Sequence, residues 1–371
     1  MIPVNSPLLN GNEKKYLIEC IDTGWISSEG PFVKKFETQM AKYVGVNYGV
    51  SCTNGTAALE MAIKALDIGP NDEVILPSFT IISCCQAIVK AGATPVLVDS
   101  DFDSFNVKVD DIESKITKNT KAIMIVHIYG LPVDVDPILE LSKKYNLKII
   151  EDAAEVHGQK YKNRMCGSLG DIGIFSFYPN KHITTGEGGM VLMNDENLYK
   201  KCRSLRNLCF SEDSSKRFIH EEIGWNLRMT NVQAAIGCAQ LERINEFVDK
   251  KRWIGKLYHD LLSDISTINL PIQYNSFAEN IYWVFAITLK DECNLSVKEV
   301  MNKLSELKIG SRPFFYPLHL QPVFKNLGFF KNENYPNSTK LYERGFYIPS
   351  GLSLSEKDIL KVSKALHQIL K

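Results

Sequence analysis

The stretch Phe175-Ser176-Phe177-Tyr178-Pro179-Asn180-Lys181-His182-Ile183-Thr184-Thr185-Gly186-Glu187-Gly188-Gly189 decides how the chain reads. Ahead of it, Asp171-Ile172-Gly173-Ile174 leads into Phe175-Ser176-Phe177, an apolar, β-favouring run expected to be a buried strand. Behind it, Met190-Val191-Leu192-Met193 is a second short apolar run, closed by Asn194-Asp195. Between the runs, Pro179 and the glycines at 186, 188 and 189 stop both helix and strand. Lys181 sits in that gap. A lone loop lysine is ordinarily a solvated charge, but one held between two buried strands is desolvated. Its pKa then falls, and the amine becomes a nucleophile able to form a Schiff base with a carbonyl.

Upstream, apolar strands alternate with helices. Residues 73–77, 94–99, 121–126 and 147–150 read as strands, and 81–91, 109–116 and 137–145 as helices. Near-continuous apolar strands separated by helices predict an α/β fold, a mainly parallel sheet covered on both faces. Ligands in such sheets sit beyond the carboxyl ends of the strands. Asp99, His127, Asp152 and Ser176 fall at or just past such ends. For Asp99 a helix cap is the simpler reading. Asp152 stands apart, because Glu151-Asp152-Ala153-Ala154-Glu155-Val156-His157 clusters ionisable groups at a strand terminus.

Closer to the N-terminus, the short strand 48–52 runs into Thr53-Asn54-Gly55-Thr56, which opens a helix at 57–66. Small and hydroxyl residues there leave backbone N–H groups outward, with the positive helix end behind them, a seat for phosphate. A plain capped helix with no ligand fits the same residues. The P-loop lysine is missing and no Gly-x-Gly-x-x-Gly follows the strand, which argues against an NTPase or a Rossmann dinucleotide site. Before this, 12–21 reads as a helix stopped at Gly24, and Trp25-Ile26-Ser27-Ser28-Glu29-Gly30-Pro31 as a structured loop. Pro31 opens a helix with Phe32, Val33, Phe36 and Met40 on one face.

The C-terminal part is expected to form a second, smaller α+β domain. One helix is read over 230–251 and another to about 262, then a long strand at 281–289 and helices at 297–307 and 355–370. Residues 203–218 and 325–339 read as exposed loops. The expected division is 1–250 for the large domain, N-terminal arm included, and 251–371 for the small one.

Composition narrows the function classes. Over 371 residues, Lys and Arg number 43 and Asp and Glu 43, with no basic block, so nothing points to nucleic acid or an anionic membrane. No apolar run reaches a membrane span, and the N-terminus does not read as a signal peptide. Nine cysteines with no C-x-x-C pair fit reduced, buried thiols of a cytoplasmic protein. Cys84-Cys85 is read as core packing.

A phosphate cup at Gly55 and Thr56, a carboxylate at Asp152 and a loop lysine at Lys181 are together what pyridoxal 5'-phosphate needs: a phosphate seat, a partner for the ring nitrogen, and an amine for the aldehyde. The chain also resembles the DegT/DnrJ/EryC1/StrS sugar aminotransferases, a family of fold-type-I pyridoxal-phosphate enzymes. The resemblance runs from Gly11 to Pro322. It is carried by Thr23-Gly24-Trp25-Ile26-Ser27-Ser28, Asn54-Gly55-Thr56-Ala57-Ala58-Leu59, Glu151-Asp152-Ala153-Ala154-Glu155 and Ser176 with Lys181 to Gly189. Gly224-Trp225-Asn226-Leu227-Arg228-Met229-Thr230-Asn231 and Arg312-Pro313-Phe314-Phe315-Tyr316-Pro317-Leu318-His319 complete the set.

The resemblance implies transfer of an amino group from glutamate to C4 of a nucleotide-linked 4-keto-6-deoxyhexose, for O-antigen or other surface-glycan synthesis. UDP- or dTDP-linked substrates, amination at C3, and a 3-dehydratase in which His replaces the lysine are the alternatives. Lys181, being intact, favours transamination. The resemblance further implies that Lys181 carries the cofactor and shuttles protons, Asp152 pairs with the ring nitrogen and Glu155 approaches the ring hydroxyl. Gly55, Thr56 and Ser176 would hold the phosphate, and Asn226 would reach the cofactor of a second subunit in a homodimer with shared sites. Trp25, Ser27, His182, Arg228, Arg312 and His319 would face substrate. Family members often carry an aromatic residue where this chain has Ile81, so either Ile81 covers the ring or Phe79 moves in. No metal is implied.

Overall fold

The protein is described by a computed structural model covering residues 1–211 and 213–371. Its large sheet runs β1 (Tyr48–Cys52), β2 (Glu73–Pro77), β3 (Thr94–Val98), β4 (Thr120–Val126), β5 (Lys148–Asp152), then, beyond the small hairpin β6 (Lys160–Tyr161) and β7 (Arg164–Met165), β8 (Ile172–Ser176) and β9 (Gly189–Met193). The spatial order is β1-β9-β8-β5-β4-β2-β3. The β3-β2-β4-β5-β8 block is parallel, and β9 is antiparallel to both β8 and β1. The reversal at β9 follows from the short Lys181 loop, which brings the chain back beside β8.

Alternation along the strands divides the apolar residues between two cores. Val50, Leu76, Met124, Ile150, Ile174 and Val191 pack on one face with α3 (Gly55–Ala65) and α4 (Ile82–Lys90). Ile75, Ile123, Ile125, Ile149, Phe175 and Leu192 pack on the other with α2 (Pro31–Val44) and Ile138 of α5 (Asp136–Tyr145). Helix α1 (Glu13–Thr23) ends at Gly24, whose φ of 72° is the left-handed cap position. After α6 (Glu196–Arg206), the buried helix α7 (Asn231–Leu241) packs on α1 and α2, and α8 (Ile244–Leu262) leads to the C-terminal part.

There a four-stranded antiparallel sheet, ordered β10 (Ile268–Asn269), β11 (Phe285–Leu289), β13 (Gly345–Ile348), β12 (Arg312–Pro313), carries its own core. Ile254 and Tyr258 of α8, Val300 and Leu304 of α9 (Val297–Glu306), and Ile359, Val362 and Leu366 of the final helix build that core. Two short helices, α10 (Pro322–Asn326) and α11 (Pro336–Arg344), precede β13, and α12 (Glu356–Leu370) closes the chain. The 250/251 division falls inside the unbroken helix α8.

Several local expectations are corrected. Residues 109–116 form two short 3₁₀ turns rather than a helix, because Ile112 alone is fully buried and no apolar stripe supports longer winding. The helix expected over 230–251 breaks at Glu242-Arg243 without glycine or proline: α7 is buried all round whereas α8 is amphipathic, and Arg243, at φ −116°, pairs with Glu246. The expected strand 281–289 pairs only from Phe285. The 325–339 segment is not a plain exposed loop: α10 and α11 enter it, and Phe330 and Tyr335 are buried against the large-domain core. Within 203–218, Arg203 to Arg206 complete α6, and the remainder includes Glu212, which lies outside the described residues.

Candidate active site

The floor of the site follows from strand register. Val126, Asp152 and Ile174 are direct neighbours across β4, β5 and β8, and all three line one cavity together with the first residues of α3. The cavity, of about 760 Å³, opens above them. Asp152 is the last residue of β5, so its carboxylate emerges where the sheet stops, as sequence reasoning expected. Its Oδ1 accepts from Ala154 N at 3.0 Å and its Oδ2 from Cys84 Sγ at 3.2 Å. Burial pushes the Asp152 pKa up, and these two donors together with Lys181 hold it back.

One wall is the N-terminus of α3. Asn54 caps it by accepting from Ala57 N at 2.8 Å, which leaves the first-turn N–H groups of Gly55 and Thr56 facing the cavity. Thr56 Oγ1 and Ser83 Oγ lie 2.9 Å apart, and Ser176 stands beside them. The chains meet tightly here. A Cβ on Gly55 would come within 2.7 Å of Ser176 Cβ, and one on Gly189 within 2.3 Å of Asn54 O. A helix N-terminus ringed by three hydroxyls fits a phosphate dianion.

The Lys181 loop closes the opposite side. Phe177 N donates to Gly188 O at 2.8 Å and Thr185 N to Phe177 O at 3.0 Å, while Gly186 turns at φ 83°. Lys181 Nζ reaches 3.8 Å from Glu155 Oε1 and 3.9 Å from the centre of the Trp283 ring, with its side chain 11% exposed. Burial lowers its pKa, opposed by Glu155 and Asp152. Glu155 is pushed up by burial, against the pull of Lys181 and the Tyr129 N–H, which donates to Oε2 at 2.8 Å. An amine of lowered pKa, a carboxylate at a strand end and a phosphate cup around one cavity are a donor set that fits pyridoxal phosphate.

Lys181, Asp152, Glu155, Gly55, Thr56, Ser176 and Ile81 all line this cavity. Three expected members are buried in the fold instead. Phe79 is fully buried against Tyr129, Phe314 and Phe315, so Ile81, 40% exposed, lies over the cavity instead. His182 points away into the core, its Nε2 at 3.3 Å from Ile281 O. His319 is buried with Nδ1 at 2.7 Å from Ser78 Oγ and Nε2 at 3.3 Å from Thr339 Oγ1, both ring nitrogens being used by the fold.

The remaining candidates lie outside the cavity of the single chain. Trp25 and Ser27 are exposed on the loop between α1 and α2. Asn226 is exposed, and Arg228 donates to Asn207 Oδ1 at 2.7 Å. Arg312 lines a neighbouring cavity of about 660 Å³ that shares Tyr178, Asn180 and Tyr347 with the first.

Sequence reasoning missed Ser83, Cys84, Phe315, Tyr347 and above all Trp283. Trp283 was hidden inside an apolar run that looked like strand throughout, and the only signal was Asn280 just ahead of it. A further buried cluster, His127, Glu151 and Cys166, lies on the opposite face of β5 and is structural. His127 Nδ1 accepts from Val133 N, so its Nε2 carries the proton to Glu151 Oε1 at 3.0 Å, and Gly167 N and Leu169 N fill the remaining carboxylate positions.

Comparison with known proteins identifies the family. The model of the DegT/DnrJ/EryC1/StrS aminotransferase family matches residues 7–367. A GDP-perosamine synthase of Caulobacter vibrioides is 42% identical over 100% of this chain and 98% of its own length. One from Escherichia coli O157:H7 is 41% identical over 99% and 98%. EpsN of Bacillus subtilis, named as a candidate pyridoxal phosphate-dependent aminotransferase, is 34% identical over 98% and 95%. Among solved structures, an aminotransferase from Psychrobacter cryohalolentis superposes with a TM-score of 0.92 at 30% identity, covering 98% of each chain. The chain belongs to the DegT/DnrJ/EryC1/StrS aminotransferase family and is a pyridoxal-phosphate-dependent aminotransferase.

Proposed function

We propose that the enzyme transfers an amino group from glutamate to C4 of a GDP-linked 4-keto-6-deoxyhexose, making an amino sugar for surface glycans. The observation that carries the chemistry is the Lys181 amine, buried 3.8 Å from Glu155 in the cavity that Asp152 and the α3 N-terminus line. The substrate class is supported by the full-length relatives named GDP-perosamine synthase.

When bound, pyridoxal phosphate supplies the electron sink that lets the amino-bearing carbon lose a proton. The residues of the chain do the rest. The N–H groups opening α3, with the hydroxyls of Thr56, Ser83 and Ser176, would hold the phosphate. Asp152 would keep a proton on the ring nitrogen by its charge. Ile81 would cover the ring and Glu155 would face its hydroxyl. Lys181 Nζ, deprotonated more readily because it is buried, takes the proton from the donor carbon and returns one to the sugar carbon in the second half-reaction.

The acting unit is a cytoplasmic homodimer. Ile18, Ile21, Trp25, Ile26, Ile219 and Ile223 are exposed apolar residues, and Asn226 and Arg228 lie outside the cavity of the single chain, which supports a second copy completing the site. Among the described residues no helix is long and apolar enough to cross a membrane. The small domain is taken as 251–371, its junction lying within α8.

A panel of GDP-, UDP- and dTDP-linked keto-sugars with glutamate tests the reading, scored by product mass and amine position. The expected product is the 4-amino sugar from the GDP substrate. A deoxy product, or turnover confined to another nucleotide or to C3, overturns it.

A further inference from the structure

The segment 281–284 was read from sequence as strand, yet the chain turns there. Asn280 Oδ1 accepts from Tyr282 N at 2.7 Å, and Tyr282 sits at φ 48°, in the left-handed region. Gly130 passes so close that a Cβ there would meet Tyr282 N and Trp283 N at 2.7 Å. An unfavourable conformation at a bulky residue persists only where surroundings over-determine it. Its result is that the Trp283 indole enters the cavity.

The indole holds the lysine at two points. Its face lies 3.9 Å from Lys181 Nζ, and its Nε1 donates to the carbonyl of Asn180, the preceding residue, at 2.7 Å. Trp283 is held in turn. Lys251, wholly buried on α8, donates from Nζ to Trp283 O at 2.8 Å and to Ser350 O at 2.6 Å. Backbone oxygens, not carboxylates, receive this amine. That is an expensive use of a lysine unless the carbonyl it anchors must stay in place.

We propose that Trp283 is the positioning residue for Lys181: its indole face fixes where the amine rests between reaction steps, and Lys251 fixes the indole. This rests on Lys181 being the reacting amine. A lysine has several rotatable bonds, and the amine must return to the same carbon in each half-reaction. The negative face of an indole provides a defined seat for it and favours its charged form. The titratable groups around Lys181 are Asp152, which ends β5, Glu155 just past it, Cys84 on α4, His157, and His182 turned into the core, both histidines kept neutral by burial. None of them offers an extended surface.

The test uses full-length protein freed of cofactor, incubated with pyridoxal phosphate between roughly pH 6 and 10 and reduced with borohydride. Labelling of Lys181 is read by mass, and kcat and KM are measured on the reloaded enzyme. Trp283→Leu should move the pH midpoint of labelling downward, since the charged amine loses its aromatic seat. It should lower kcat about tenfold to a hundredfold with KM little changed. Trp283→Phe, which keeps a ring face but no Nε1, should fall between it and wild type. Lys251→Met should shift kcat in the same direction by less.

Wild-type midpoint and kcat in Trp283→Leu overturn the proposal, as does a Trp283→Phe variant as impaired as Trp283→Leu, which would place the effect outside the ring face. If Trp283→Leu does not fold, the Trp283→Phe and Lys251→Met results decide alone, unchanged kcat in both overturning the idea. Absence of label at Lys181 in the wild type would instead remove the functional reading beneath it.

Discussion

Lys181 and Lys251 are both desolvated lysines with pKa values lowered by burial, and they do different work. Lys181 stands on a loop at the sheet's edge, keeps one side open to a 760 Å³ cavity and has Glu155 3.8 Å away. Lys251 lies on a helix with no exposure and meets Trp283 O and Ser350 O. A depressed pKa is therefore not the mark of a nucleophile. Space on one face, together with a carboxylate that can exchange a proton, is what separates the two.

The sharpest way to break the comparison is to exchange the consequences. Lys181→Ala should remove turnover, by at least about 10⁴-fold, while leaving thermal stability near wild type, because the loop's hydrogen bonds are made by its backbone and by Thr184 and Thr185. Retained transamination in that variant contradicts the assignment. Asp152→Asn should keep the cofactor but lose roughly 10²- to 10³-fold in rate, since a neutral amide cannot hold the ring proton by charge. An unchanged rate would remove that role.

Lys251 should show itself in stability. Burial lowers its pKa from 10.5 to about 7. Between those values the unfolded chain binds a proton that the folded chain does not, so stability rises with pH across this window, at up to about 1.4 kcal/mol per unit. That contribution is lost as pH falls to about 7, below which both states are protonated. Urea unfolding of wild type and Lys251→Met should therefore give a stability difference that climbs in favour of wild type from neutral to alkaline pH. A difference flat in pH would mean that the amine is not desolvated. The smallest expected effect belongs to Gly55→Ala. The added methyl would press on Ser176 and should weaken cofactor binding about tenfold, at a cost of roughly 1–3 kcal/mol in strain. Titration of the cofactor-free protein measures it.

Much of this was readable before any coordinates. The α/β alternation, the strand ends at Asp152 and Ser176, the capped helix at Asn54 and the lysine between two apolar runs each follow from local pattern. What stayed hidden depended on tertiary contacts. Trp283 enters the site because Asn280 and Gly130 bend a segment whose composition is pure strand. Cys84 reads as core packing until Asp152 Oδ2 is seen 3.2 Å away. His182 and His319, polar residues inside two of the motifs that carry the resemblance, turn out to brace backbone and neighbouring hydroxyls, because a motif marks a region and does not say which way each side chain points. The break between α7 and α8 carries no glycine or proline and had no local signal.

The most direct measurement is borohydride reduction of the protein loaded with pyridoxal phosphate, followed by peptide mass analysis. The account predicts one reduced cofactor, bound to the Nζ of Lys181 and absent from Lys181→Ala. Label on a different lysine, or none while transamination proceeds, would contradict it.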